Sequence, residues 1–266
     1  VSSKGTLQVN VYDRTIGKPV PNSNVRIFKP DSDKATIDNL ITNSSGQTAN
    51  IELQCPPKDY SLDPNNTSKP FENYNIEVSS EGFETTVIQG IEIFDGTEAI
   101  QNVELTPKKS NDTNERTISI QENTLWGNFP SKIPEKEVKT RSSETGFVVL
   151  DKIVIPETIV VHDGLPDNNN APNYYVPFKD YIKNVASSEI YSTWPDATIR
   201  ANILAIISFT LNRVFTEWYR NRGKNFTITS STAYDHAFSY GRNIFSEISI
   251  IVDEMFSTYI TKPSIE

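Results

Sequence analysis

The sequence predicts an α+β protein of two domains, an N-terminal all-β sandwich followed by a mainly helical domain with a few strands. Three observations predict it. Apolar and polar residues alternate across 5–107 with almost no helical period. Residues 108–147 are polar and hold no sustained period, and from residue 178 apolar side chains recur at every third and fourth position. A length of 266 residues also suits two domains, at ~150 residues each.

In the first domain, 1–107, "TLQVNVYD" (6–13) places Leu7, Val9 and Val11 on one face and Gln8, Asn10 and Tyr12 on the other. "NVRIFKP" (24–30) repeats the alternation and closes at Pro30, and "SSGQTANIELQ" (44–54) turns at Gly46 into a strand. "YNIEVSSEGFETTVIQGIEIFDG" (74–96) breaks at Gly82 and Gly90 into two or three strands, and "AIQNVELTP" (99–107) completes about seven. Residues 108–147 read as a linker or loosely packed arm, with one strand-like patch at 117–120. Lys132, Lys136, Lys139 and Arg141 make that arm accessible to proteases.

The remainder, 148–266, opens on the apolar run 147–164, which ends at Asp163-Gly164, followed by the loop "LPDNNNAPNYY". A helix is expected from Pro177, a favoured first helical residue, with Phe178, Tyr181, Ile182 and Val185 on one face. A second is expected from Pro195 to a cap at Gly223, about 40 Å long at 1.5 Å per residue. A short strand (226–232) and a third helix (244–260) follow.

Net charge is −9, so a nucleic-acid partner is not expected, because phosphate binding needs a basic surface. Residues 1–107 hold 8 basic and 15 acidic side chains, which places most of the acidic excess in the first domain. Cys55 is the single cysteine, which excludes an internal disulfide and a cysteine-based zinc cluster. No run approaches the ~18 apolar residues of a membrane span. The chain begins Val1-Ser2-Ser3-Lys4 without methionine, so its natural start is expected to be trimmed or processed.

Glu189 stands four residues after Val185 and so falls on the apolar face of the first helix. Desolvation there raises a carboxyl pKa and equips a glutamate to protonate a leaving oxygen. The other reading is a helix-terminal glutamate with its head in water. His162, Asp163 and His236 are further candidates, although two histidines fall short of a three-ligand metal site without carboxylate help. "AYDH" (233–236) either lines a cleft or supplies Asp235 as a cap. Tyr174, Tyr175, Tyr191, Trp194, Trp218 and Tyr219 surround the Glu189 stretch in sequence, as sugar-stacking faces or as core.

"FKDYIKNVASSEIYSTWPDATIRANILAIISFTLNRV" (178–214) resembles the catalytic domain of the stage II sporulation protein D family, with its "DYL-x-x-V-x-x-E" helix and long second helix. Ala201, Ala205 and Ser208 occupy that helix's small positions, and "FTITSSTAYDH" (226–236) is similar to the family's following strand and turn. The fit is closer still to one branch, the clostridial spore cortex-lytic enzymes, and the resemblance extends to an N-terminal domain of transthyretin-like or carboxypeptidase-regulatory type. It implies cleavage of cortex peptidoglycan during spore germination, as a lytic transglycosylase with possible amidase activity, in the cortex and coat region of the spore. Glu189 is then the catalytic acid–base, and Tyr191, Trp194, Tyr234 and His236 bind substrate. No metal or other cofactor is expected, because family members that bind zinc use cysteine and histidine and no cysteine lies beyond Cys55; the resemblance further implies activation by a subtilisin-like germination protease. The β-domain and the arm are then a pro-region. The family's later "H-G-x-G-(M/L)-S-Q-(Y/W)-G" segment and a C-terminal wall-binding repeat are missing before Glu266, so 148–266 is expected to be truncated. The alternative is a non-catalytic wall-binding or scaffolding protein with a degenerate domain of this type.

Overall fold

The computed structural model describes residues 3–31, 35–109, 115–133, 150 and 152–261. The chain forms two compact units, each assembled from separate stretches. Unit 1 comprises Val1–Glu122, Tyr191–Trp194 and Tyr240–Glu247; unit 2 comprises Asn123–Ile190, Pro195–Ser239 and Ile248–Glu266.

Two sheets make up unit 1. The first runs in the order β12 (Ile244–Phe245), β7 (Glu98–Leu105), β1 (Lys4–Asp13), β4 (Ile51–Gln54). Its β1–β7 pair is parallel, and the other two pairs are antiparallel. The second runs β3 (Thr36–Ile41), β2 (Asn24–Phe28), β5 (Glu72–Ser79), β6 (Thr85–Ile93), β8 (Glu115–Ser119), with β8 parallel to β6. A single helical turn, α1 (Asp59–Leu62), joins β4 to β5.

Period-two alternation accounts for the core. Leu7, Val9 and Val11 are fully buried, as are Val25 and Ile27 of β2 and Ile76 and Val78 of β5. Each such side chain contributes about 1.5–3 kcal/mol of transfer free energy. Phe94 packs against Phe71, Tyr191 and Phe245, with ring centroids 5.2–5.3 Å apart.

The late segment Tyr240–Glu247 is bonded into unit 1 along its length. Ile244 and Phe245 pair antiparallel with Ile100 and Ala99. Asn243 Oδ1 accepts from the Glu92 N–H at 3.2 Å, and Asn243 Nδ2 donates to the Glu92 carbonyl at 3.2 Å. Arg242 donates to Glu92 Oε2 at 2.8 Å with both side chains wholly buried. Gly241 has φ +82°, and a Cβ there would lie 2.7 Å from Ile118 Cγ2, so glycine is required on two counts.

Unit 2 holds a three-stranded sheet in the order β10 (Asn173–Pro177), β9 (Thr158–His162), β11 (Ile228–Thr229). β10 is antiparallel and β11 parallel to β9. Its two long helices are α2 (Phe178–Glu189) and α3 (Asp196–Phe215), and a helix α4 (Ser246–Met255) follows β12.

The expectation of a mainly helical second half is corrected by the structure: the described residues are 31 % strand against 21 % helix, in three sheets. The helices are shorter than their apolar periods. α3 stops at Phe215, because Glu217 takes a left-handed backbone (φ 47°) and the Trp218 N–H turns to the Arg213 carbonyl. Beyond it only a 3₁₀ turn, Arg220–Arg222, precedes Gly223. α4 starts at Ser246, because Ile244 and Phe245 serve as a strand. The second half therefore supplies strands to two of the three sheets.

Candidate functional site

Glu189 is the last residue of α2. That helix is buried well beyond a single stripe: Asn184, Ala186, Ser187 and Ser188 are buried along with Phe178, Tyr181, Ile182 and Val185. Two side chains of α2 hold the loop 236–239. Asn184 Nδ2 donates to the Ser239 carbonyl at 2.9 Å, and Asn184 Oδ1 accepts from the Ser239 N–H at 3.0 Å. Glu189 Oε1, on a half-buried side chain, accepts from the Ala237 N–H at 2.7 Å. A carboxylate oxygen fixed by a backbone donor has a defined direction, which acid–base chemistry needs.

The same loop carries His236, which is buried. Its Nδ1 lies 3.3 Å from the Tyr181 hydroxyl and its ring 4.6 Å from that of Phe209. Burial pushes the imidazole below its ordinary pKa, against the opposing pull of Glu189 and Asp235, so the ring is neutral near pH 7. Burial likewise holds the Tyr181 phenol well above its usual range, with Asp235 and Glu189 adding to the effect. Tyr181, in the first turn of α2, thus meets His236, while Glu189, the last residue of α2, is bonded by the N–H of the residue after His236.

Asp235 directly precedes His236. Its side chain is fully buried, and Oδ1 accepts from Arg213 Nε at 2.8 Å. Oδ2 accepts from the Tyr219 hydroxyl at 2.6 Å, the Thr229 hydroxyl at 2.7 Å and the Thr229 N–H at 3.0 Å. Arg213 in turn lies over the rings of Phe209 and Trp218, 4.4 and 4.2 Å from their centroids. A carboxylate with four donors is a fixed anchor, and it sits one residue before His236.

The first part of the arm is tied to the same elements. The Thr124 N–H donates to the Ser188 carbonyl at 2.9 Å, and Asn123 Nδ2 to the Ile190 carbonyl at 3.1 Å, on either side of Glu189. Lys132 Nζ donates to the Asp235 carbonyl at 3.0 Å, and the Ile133 N–H to that of Ala233 at 2.8 Å. Lys136, Lys139 and Arg141 lie outside the described residues.

Of the residues named from sequence, Glu189 and His236 come together in unit 2. Tyr234 is half-buried in the same unit, and its carbonyl accepts from Arg213. Tyr191 and Trp194 belong to unit 1, where they meet edge-on at 5.7 Å and Trp194 Nε1 donates to the Ser61 carbonyl. His162 stacks on Phe226 at 4.4 Å, with its ring nitrogens facing Asn173 Oδ1 and the Leu165 carbonyl. Sequence reasoning passed over Tyr181, Asn184 and Arg213. Tyr181 and Arg213 read as ordinary members of helices, and only Asn184, a polar residue beside an apolar stripe, carried a signal. Among the described residues no group of three His, Cys, Asp or Glu side chains converges as a metal site. No described helix is long and apolar enough to cross a membrane.

No family model matches the chain, and no curated protein matches it. Among solved structures, the catechol 1,2-dioxygenase of Acinetobacter sp. ADP1 aligns over 44 % of this chain and 59 % of its own, with 12 % identity and a TM-score of 0.28. GBS52, the minor pilin of Streptococcus agalactiae, aligns over 44 % and 50 %, with 14 % identity and a TM-score of 0.28. The 5-hydroxyisourate hydrolase of Klebsiella pneumoniae aligns over 39 % and 91 %, with 18 % identity and a TM-score of 0.25. The chain thus spans three-fifths of the dioxygenase and half of the pilin. At these scores the likenesses carry no argument about fold or chemistry.

Proposed function

We propose that this chain cleaves the glycan strands of spore cortex peptidoglycan as a lytic transglycosylase, with Glu189 as its single acid–base. The observation that carries the reading is the setting of Glu189: a half-buried carboxyl at the end of α2, oriented by the N–H of Ala237, the residue after the buried His236. Hydrolysis by two carboxylates needs a second group to activate water or attack the sugar. Transglycosylation needs one. Glu189 protonates the glycosidic oxygen as the bond from C1 breaks. The sugar's own C6 hydroxyl then attacks C1, its proton passes to Glu189, and a 1,6-anhydro end is left. Atoms and protons balance without water.

The same reading gives residues 1 to about 150 a restraining role, relieved by a germination protease. The bonds from Asn123, Thr124, Lys132 and Ile133 to the stretches bearing Glu189 and His236 support it.

Glu189→Gln tests the assignment. The amide oxygen still accepts from the Ala237 N–H, but the side chain no longer delivers a proton. The release of anhydromuramic ends from purified cortex, followed by mass spectrometry, is expected to fall at least ~10²–10⁴-fold, with circular dichroism and cortex binding unchanged. Near-normal release by the variant would place the acid–base elsewhere. Binding without release by the unsubstituted protein would favour a wall-binding scaffold.

A further inference from the structure

We propose that a chain cut between residues 134 and 149 stays together as one folded, noncovalent complex, because each unit is completed by residues from the other side of that stretch. The exchange runs both ways. Unit 1 takes Tyr191–Trp194 and Tyr240–Glu247 from the C-terminal side, and unit 2 takes residues 123–133 from the N-terminal side. The N-terminal part is therefore a structural partner that processing does not discard.

In unit 1 the borrowed segments lie in the core. Phe245 is fully buried and Tyr191 nearly so, and both pack on Phe94. β12 extends the sheet at β7, and Asn243 bonds both backbone groups of Glu92. The Arg242–Glu92 pair is wholly buried, and Arg242 also donates to the Gln121 carbonyl. Thr193 shares a 2.6 Å hydrogen bond with Ser61, and Ser192 donates to Thr97 at 3.3 Å. Losing these segments would open an aromatic core and strand a buried carboxylate, a penalty well above that of an exposed contact.

In unit 2 the reciprocal loan is Asn123, fully buried, whose amide bonds the Ile190 carbonyl. Lys132 lies 4.8 Å over the Phe209 ring as well as bonding the Asp235 carbonyl. Neither side of the cut owns a complete core. Where the proposed restraint operates, its relief happens inside the complex, next to a new chain end beyond Ile133. The inference does not depend on the role of Glu189, because association and cleavage are read separately.

A site for a sequence-specific protease placed between residues 134 and 149 of the full chain supplies the test. After cutting, both pieces are expected in one size-exclusion peak at 1:1 ratio by mass spectrometry, with the near-ultraviolet circular dichroism of the uncut chain. Two separate peaks of folded pieces in buffer without denaturant would overturn the proposal, as would a folded monomer made from 150–266 alone. Glu92→Ala is expected to weaken the association of the cut pieces about a hundred-fold or more, by leaving Arg242 buried without its anion. The double variant Glu92→Leu, Arg242→Met, which removes both charges, is expected to restore most of it. Cut Glu92→Ala and double variants as tightly held as the unsubstituted complex would remove the ion pair from the clasp.

Discussion

Arg242 and Glu92 in unit 1 meet at 2.8 Å, as do Arg213 and Asp235 in unit 2, and all four side chains are at most 3 % exposed. The chemistry is alike, but the surroundings differ. Glu92 meets its arginine across 150 positions of sequence, and the pair ties the segment leading into β12 to β6. Asp235 meets its arginine across 22 positions and also gathers Tyr219 and Thr229. A buried ion pair acts through whatever it joins: the first clasps two ends of a chain, and the second fixes the residue before His236.

The largest effect is expected at Asp235. Asp235→Ala leaves Arg213 buried without its anion and removes the acceptor of the Tyr219 hydroxyl and of two groups of Thr229, and should cost about 4–5 kcal/mol in urea denaturation. Glu92→Ala leaves Arg242 buried without its anion and should cost about 3 kcal/mol. The reverse order would break the comparison. Replacing both charges sharpens it: Glu92→Leu with Arg242→Met should lie within about 1 kcal/mol of the original. Asp235→Leu with Arg213→Met should remain costly, since Tyr219 and Thr229 still lack an acceptor.

A smaller effect should follow from pH. His236 is held below its ordinary value of 6.5 by burial. The unfolded chain therefore takes up this proton first as pH falls, and stability declines from about pH 6.5 downward. Urea midpoints at pH 7 and pH 5 measure the slope, and His236→Asn should reduce it. A slope of opposite sign would mean that the folded protein favours the imidazolium. The smallest effect is expected at Asp253, an exposed carboxylate bonded to Lys179 and Lys183. Asp253→Asn should change the midpoint by less than about 1 kcal/mol, and less still in high salt.

Glu189 and His236 could be singled out from sequence because one interrupts an apolar period and the other is one of two histidines. That a backbone N–H of the loop after His236 would orient Glu189 had no local signal, since the partners are 48 positions apart. Tyr191 and Trp194 follow Glu189 closely in sequence, yet they pack into a different unit from it. Proximity along a chain says little about proximity of side chains once a helix ends.

By itself, the sequence determined the short strands of 5–107 other than β3 (Thr36–Ile41), whose side chains are mostly exposed, and where α2 begins, because period and proline act over a few neighbouring residues. Leu7, Val9 and Val11 are buried as their alternation requires, and Pro177 directly precedes the first helical residue. Only the tertiary structure decided that Ile244 and Phe245 would be a strand, that α3 would stop at Phe215, and that Arg242 and Arg213 would be buried. A short apolar run suits strand or helix equally well, and the partner that selects between them lies far along the chain. Burying an arginine becomes tolerable only when a carboxylate from elsewhere arrives to meet it.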